Sequence, residues 1–506
     1  MFTTHFSWWL DGSIVGLYLL AAMVAGIMVR KYVGKVDHFL IAGREMNVYL
    51  GIASLAATEF GIVTCMYTAQ EGYDHGFAGA IPGMLQAAAM LLIGLTGFCV
   101  KPLRDAGVMT IPELFQMRFG PRIRWAAGVV IVLGGLLNMG IFLRMGGEFL
   151  VNVSGLDVKY LEITMTVLLV AVALYTILGG MLSVLVTDFL QFVVMSAGLI
   201  AVTLLILADV GWDRLVGAVE SHYGPGGFNP FVNDKLGWSF VLFQALLNTA
   251  ATLTWMTTIQ RLLAAKDTRT GRKVYMGTSF FFVCRFLIPG IWGMAALATL
   301  SPETFGGTSK SLYAMPAFLS RYVPVGLMGL LVAAMLAADM STDSSYMLTW
   351  GSVIYNDILA PFRKTPWSEK KGLFWNRTIV ALIGVFLLFY GLWYPLEGGL
   401  WDYLTITGTI YLASMSVLLV ACCYWKRANN WGAAAAIVCG ALIPALYLVL
   451  GKVPATSEFV KKNIGHDYSG IAAFAIAALA MVLGSLLKPS PRPPEAHKTA
   501  LQTEAR

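Results

Sequence analysis

Apolar runs of 18 residues or more recur from one end of the chain to the other, each able to cross roughly 30 Å of hydrocarbon as a helix. Thirteen are present, near 10–30, 47–70, 77–100, 123–146, 160–179, 181–208, 237–261, 274–300, 325–355, 373–394, 400–425, 431–450 and 469–487. The pattern predicts an all-α polytopic membrane protein with about 13 transmembrane helices. Composition agrees, since 58% of the 506 residues are hydrophobic and only 12% charged. An ordinary soluble chain carries about twice that charge.

Basic residues orient the segments. With the N-terminus outside and alternate crossings, the inside loops and tail hold 25 of the 35 Lys and Arg: Arg30 to Arg44, Lys101 to Arg124, Arg261 to Lys273, Arg363 to Arg377, Lys426 with Arg427, and the stretch from Lys488. Outside stretches hold nine, and Arg285 lies within a helix. Such a bias follows the positive-inside rule. The net charge of +7 therefore reads as topology, not as nucleic-acid binding. An odd helix count places the C-terminus in the cytoplasm of a multi-pass protein of the plasma (inner) membrane. No positive stretch precedes the first helix, whereas Arg30 and Lys31 follow it, which suits an uncleaved anchor. The Pro-rich, polar tail "KPSPRPPEAHKTALQTEAR" is expected to be disordered.

One segment carries chemistry that a purely lipid-facing helix would not need. "AADMSTDSSYMLTW", residues 337–350, places five hydroxyls and two carboxylates, Asp339 and Asp343, within eight residues. At about 100° per residue, Ala338, Ser341, Thr342 and Ser345 share one face. Hydroxyls with a backbone carbonyl one turn earlier form a hard-oxygen cluster, suited to Na⁺ better than to a transition metal. Ser and Thr also let helices pack closely, but ionisable groups at this depth are costly and usually line a pathway. A partner able to complete a cation site is an interrupted helix with freed carbonyls. "SLAATEFGIVTCMYTAQEGY", residues 54–73, offers one, interrupted near its middle by Glu59 and Gly61. Asp339 and Asp343 stand one turn apart and repel each other, so a cation, Arg285 or a proton should accompany them. A structural pairing and a transport role both stay open for these groups. The six cysteines fall in membrane segments without a CxxC, so neither disulfides nor zinc sites are expected. The six histidines are scattered, and no P-loop, GxGxxG or nucleophile elbow occurs. Nothing points to an enzyme, to ATP use or to an organic cofactor.

Five motifs follow one another along the chain: "FLIAGREM" (39–46), "MTIPELFQMRFG" (109–120), "YTILGGMLSVLVTDFLQF" (175–192), "IQRLLAAKDTRTGRK" (259–273) and "AADMSTDSS" (337–345). Together they resemble the sodium:solute symporters, a family that includes sodium/glucose, sodium/proline, pantothenate and sialic acid transporters. They are similar, in order, to that family's loop before the first core helix, its cytoplasmic amphipathic segment, its Gly-Gly…Thr-Asp-x-x-Gln signature, its Gln-Arg loop and its sodium-site helix. The likeness spans roughly residues 35–425. It implies two inverted five-helix repeats, each beginning with a discontinuous helix (the first and sixth core helices), plus flanking helices. The corresponding parts are a flanking helix and cytoplasmic loop (1–46), a first repeat (47–208), an external loop (209–236), a second repeat (237–425), two flanking helices (426–487) and a disordered cytoplasmic tail (488–506). Carried over residue by residue, the main sodium site would use the carbonyls of Ala57, Phe60 and Ala338 with the hydroxyls of Ser341 and Thr342. A second sodium site of some members is matched by Asp188, Ser341, Ser344 and Ser345; for Asp188 a structural or proton-linked role is the competing reading.

The resemblance implies a secondary symporter that imports a small polar organic solute by alternating access, with Na⁺ as coupling ion, two ions per cycle, and no obligate protein partner beyond the lipid bilayer. For the solute, Gln86 aligns with the second-helix Glu of sugar-carrying members and Arg285 with their seventh-helix Lys. Thr64 replaces a first-helix His or Gln, Thr252 a sixth-helix aromatic, and Ile406 a tenth-helix Gln. Glu59 matches an aspartate of the sodium/proline type. This partial polar set favours a zwitterion or carboxylate, held by Glu59 and Arg285, over a hexose. The alternatives are a membrane-embedded solute sensor, for which the 19 residues after the last segment leave no output domain, and a sodium-dependent channel, which would need a continuous polar lining. Orientation is open to direct test. An introduced cysteine at position 369 should resist an impermeant thiol reagent in intact cells, and one between Gly211 and Lys235 should react; modification at 369 would refute the assignment.

Overall fold

The computed structural model describes residues 4–300, 311–363, 365, 367–394 and 399–489. Most of the tail expected to be disordered, 490–506, lies outside these residues. The membrane body comprises α1 (Leu10–Val29), α2 (Val48–Glu59), α3 (Ile62–His75), α4 (Ile81–Thr96), α5 (Pro121–Met139), α6 (Phe142–Ser154), α7 (Leu161–Asp209), α8 (Gly237–Thr254), α9 (Met256–Ala264), α10 (Thr268–Thr299), α11 (Leu327–Val353), α12 (Glu369–Trp393), α13 (Leu400–Tyr424), α14 (Asn430–Leu450) and α15 (His466–Leu487). Among the described residues there is no strand, only one isolated backbone bridge between Met46 and Ala265.

Among the described residues eleven helical stretches are long and apolar enough to cross a membrane, two of which each hold parts of two of the thirteen expected segments. The difference arises where two apolar segments join through a helical turn. Ile62–Thr96 merges the end of one expected segment with the next, and Val158–Asp209 merges the two expected at 160–179 and 181–208. Extended straight, the 49 residues of α7 would run about 74 Å, more than twice the hydrocarbon thickness. Gly180 relieves this by adopting φ 54°, ψ −148° inside the helix, a conformation open to glycine. Both halves then reach one turn of α11: Tyr175 Oη donates to the Met340 carbonyl at 2.9 Å, and Asp188 Oδ1 accepts from Ser341 at 2.6 Å.

α11 occupies the centre. In its most apolar 18-residue window 89% of residues are buried, against 22% for α1, so its polar side chains meet protein and not lipid. Its first turn is anchored by Asp11 on α1, whose Oδ1 accepts from the backbone N–H groups of Gly326 and Gly329, each at 2.7 Å. A carboxylate at a helix N-terminus satisfies orphan donors and opposes the positive end of the dipole.

α10 is brought against α3 and α4 by glycines at backbone contacts. A Cβ on Gly293 would stand 1.9 Å from the Ala69 carbonyl oxygen, and one on Gly72 2.3 Å from that of Gly290. Small residues at such crossings let membrane helices approach closely, and here they set the distance from Arg285 to the interrupted helix. Gly293→Ala should therefore lower stability by about 1–3 kcal/mol, as overpacking does. Gly16→Ala on α1, whose Cβ would meet nothing within 4 Å, should not. Thermal unfolding of both variants in detergent checks this, and equal effects would contradict the packing account.

Candidate functional site

Two helices are interrupted in the interior. Between α2 and α3, Phe60 (φ −112°, ψ 50°) and Gly61 (φ −70°, ψ 169°) leave helical geometry. Between α8 and α9 the break is Trp255 (φ −65°, ψ 115°). The two breaks face each other. Glu59, last residue of α2, accepts at Oε1 from Thr257 Oγ1 (2.7 Å) and Thr258 Oγ1 (3.5 Å) in the first turn of α9. A carboxylate thus sits at the positive end of a half-helix. The far ends of the same half-helices are tied as well, because Met46 N–H donates to the Ala264 carbonyl and Lys266 N–H to that of Met46, each at 3.1 Å.

α11 crosses the first break so closely that a Cβ on Gly61 would stand 2.6 Å from Thr342 Oγ1. Thr342 Oγ1 lies 2.8 Å from the Thr58 carbonyl and 2.9 Å from that of Ala338. The Ala57 carbonyl accepts from Phe60 N–H at 3.3 Å. The Thr58 carbonyl at the C-terminal end of α2 and the Ala338 carbonyl therefore meet at the Thr342 hydroxyl, neutral oxygens of the kind that Na⁺ takes. Thr58 was not named from the sequence; a hydroxyl residue one position from Glu59 was the available signal.

Ser341 turns the other way. It donates to Asp188 Oδ1 at 2.6 Å, and its Oγ lies 3.4 Å from that of Thr58. The oxygens expected to form a second sodium site are largely held by a cation of the chain itself, Arg261. Its Nη2 donates to Asp188 Oδ2 (3.1 Å), Ser345 Oγ (2.5 Å) and Thr58 Oγ1 (2.7 Å), while Nε donates to Ser54 Oγ (3.1 Å). Ser54 also donates to Asp188 Oδ2 at 2.5 Å. Ser344 stays outside this set, its hydroxyl donating to the Ser341 carbonyl at 3.2 Å. Both charged side chains are fully buried. Arg261, counted from sequence with a cytoplasmic basic loop, is an interior residue of α9. The "IQRLLAA" run was the clue, since its Arg is flanked by apolar residues at helical spacing.

A cavity of ≈ 90 Å³ opens beside the two breaks. Glu59, Thr64, Gln86, Arg285, Asp339 and Thr342 line it. Arg285, on α10, places Nη1 3.5 Å from Glu59 Oε2 and 3.4 Å from Gln86 Oε1, and Nη2 2.7 Å from Tyr67 Oη and 3.4 Å from Thr64 Oγ1. It pairs with Glu59, not with Asp339 or Asp343, because α10 lies against α3 and α4. Thr252 does not line the cavity; its hydroxyl bonds back to the Asn248 carbonyl at 2.9 Å. Asn248 and Trp255 line that wall instead, and Trp255 Nε1 donates to Tyr346 Oη at 3.0 Å. Asp343, one turn beyond Asp339, is buried and lies outside the lining.

Removing one member of a buried pair leaves an uncompensated charge, at a cost of about 3–5 kcal/mol, whereas removing both can be nearly neutral. Asp188→Asn should accordingly destabilise the protein by about that amount, and adding Arg261→Met should restore most of it. Thermal unfolding of the single and double variants measures the difference; additive losses would contradict the pairing.

Comparison with known proteins follows this geometry. The family model described as "Sodium:solute symporter family" matches residues 39–440. Sodium/glucose cotransporter 4 of Danio rerio is 27% identical over 491 residues, covering 89% of this chain and 72% of that protein. The sodium/myo-inositol cotransporter of Mus musculus is 26% identical over 543 residues, covering 95% and 74%. Among solved structures, the substrate-bound, outward-open state of a Na⁺-coupled sialic acid symporter superposes with a TM-score of 0.80 at 19% identity, covering 96% of this chain and 99% of that one. The family model alone spans most of the sequence, its match runs through both interrupted helices and the whole of α11, and the chain belongs to the sodium:solute symporter family.

Proposed function

We propose that the chain imports a small polar organic solute together with Na⁺ by alternating access across the plasma (inner) membrane, N-terminus outside and C-terminus in the cytoplasm. The observation that carries this reading is the gathering of neutral oxygens where α11 crosses the α2–α3 break. Thr342 Oγ1 there stands 2.8 and 2.9 Å from two backbone carbonyls. Of the residues named from sequence, Ala338 supplies a carbonyl and Thr342 the hydroxyl at this point, whereas the Ser341 hydroxyl is bonded to Asp188. The breaks at Phe60–Gly61 and at Trp255 support the division into repeats at 47–208 and 237–425, each beginning with an interrupted helix.

The cavity supports a zwitterion or carboxylate over a sugar. Its lining includes the loosely paired Glu59 and Arg285 and, beside them, Asp339, which a neutral sugar would leave without a charged partner.

Sequence reasoning pointed to two sodium ions. With Arg261 bonded to Asp188 and Ser345, the geometry favours one, because a guanidinium in the second oxygen set repels a further cation. One Na⁺ entering down ~100 mV releases about 2.3 kcal/mol, and a tenfold gradient adds roughly 1.4 kcal/mol. That sum supports a solute gradient of a few hundredfold for a zwitterion.

Sodium titration of binding or uptake tests the reading. The wild-type Hill coefficient should lie near one. Ser341→Ala combined with Thr342→Ala should raise the half-saturating sodium concentration about tenfold or more in a folded protein. Unchanged sodium dependence in that variant would sink the site assignment, and a wild-type coefficient near two would overturn the single-ion reading.

A further inference from the structure

Resting on the symport reading, we propose that the transported solute carries a protonated amine and that Asp339 binds it. Asp339 is 2% exposed and lines the cavity, and its Oδ2 has no hydrogen-bond partner among the described residues. A buried carboxylate oxygen without a donor is costly, so a ligand that supplies one is strongly favoured there. Gly146 on α6 lets that helix pack closely against the carboxylate: a Cβ at that position would stand 2.9 Å from Oδ2 and 3.1 Å from Oδ1. No lysine or arginine of the described residues pairs with Asp339.

The other charges facing the cavity leave this one unbalanced. Glu59 and Arg285 pair with each other at 3.5 Å, so together they contribute no net charge. Gln86, Asn138 and Asn248, from α4, α5 and α8, are neutral. Asp343, on Asp339's own helix, is a second buried carboxyl one turn away. An ammonium supplies both the missing donor and the missing charge, which a carboxylate, a sugar or an alcohol does not.

Ring faces line the same cavity. On α11, Tyr346 stands two turns after Asp339 along one stripe, with Phe142 5.2 Å and Trp255 5.8 Å from its ring centre, and all three line the cavity. Aromatic faces attract a desolvated cation. At the other side of the cavity, Arg285 Nε is buried and lacks an acceptor among the described residues. A solute bearing both groups, amine toward Asp339 and carboxylate toward Arg285, satisfies both atoms at once.

The test uses the purified full chain in detergent with Na⁺ and reads thermal stabilisation by three matched panels: α-amino acids, the α-hydroxy acids of the same side chains, and the acids with neither group. Amino acids should stabilise the wild type, and their analogues lacking nitrogen should not. In Asp339→Asn the preference for amino over hydroxy analogues should fall about tenfold or more, a specificity change that lost stability alone would not produce. Stabilisation by the nitrogen-free panels as strong as by the amino acids, or an unchanged preference in a folded Asp339→Asn protein, would overturn the proposal. Sodium added alone separates this from the symport reading. A sodium response that depends on Ser341 and Thr342 but comes with no amine preference would sink only the amine assignment.

Discussion

Backbone polar groups removed from water must find partners inside the protein, and this chain breaks two helices in its interior. That constraint organises the surroundings. Carbonyls released at the end of α2 meet the Thr342 hydroxyl, and the first turn of α9 receives the Glu59 carboxylate. α11 must run through the centre to reach the first break, so it is the most enclosed of the crossing helices and can carry two aspartates and four Ser or Thr within seven residues. Its first turn is capped by Asp11 from α1, so a flanking helix also takes part in placing the site.

Charge inside the body follows a second rule: each buried ion needs a counter-ion, and the geometry decides which. Arg261 satisfies Asp188 through a network that includes Ser54, Thr58 and Ser345, with both charged groups away from solvent. Arg285 and Glu59 are farther apart and border the cavity. The first pair is closed, with the carboxylate and guanidinium surrounded by donors and acceptors. The second remains open to a ligand that competes for either member. Asp339 falls outside both. On the proposed reading, a cavity that keeps one charge pair loose and one carboxylate single would select by charge before shape.

Helix packing carries these distances. Arg285 reaches Glu59, Thr64, Tyr67 and Gln86 because α10 touches α3 at the level of its backbone, where glycines at 72, 290 and 293 leave no side chain between the two helices. A side chain at Gly72 or Gly293 would force the two helices apart and carry Arg285 away from the carboxylate. The polar site thus depends on a nonpolar detail of packing.

What the sequence by itself determined about this protein is local in origin. Lipid demands long apolar runs, and the helical period places Ser341, Thr342 and Ser345 on one face, so the all-helical membrane architecture, the interruption at Glu59–Gly61 and the polar stretch of α11 were readable from composition and spacing. The family likeness rested on short motifs in order, which are also local. Only the tertiary structure decided the partners. Arg261 looked like part of a basic loop and is the counter-ion of Asp188, a residue 73 positions away. Arg285 stood equally available to Asp339, Asp343 and Glu59 until the crossing of α10 over α3 selected Glu59. Thr252 could have faced a solute and instead bonds to its own helix. A hydroxyl or a guanidinium has several acceptable partners at similar energy, and which it takes is set by helices far apart in the chain that the sequence pattern cannot bring together.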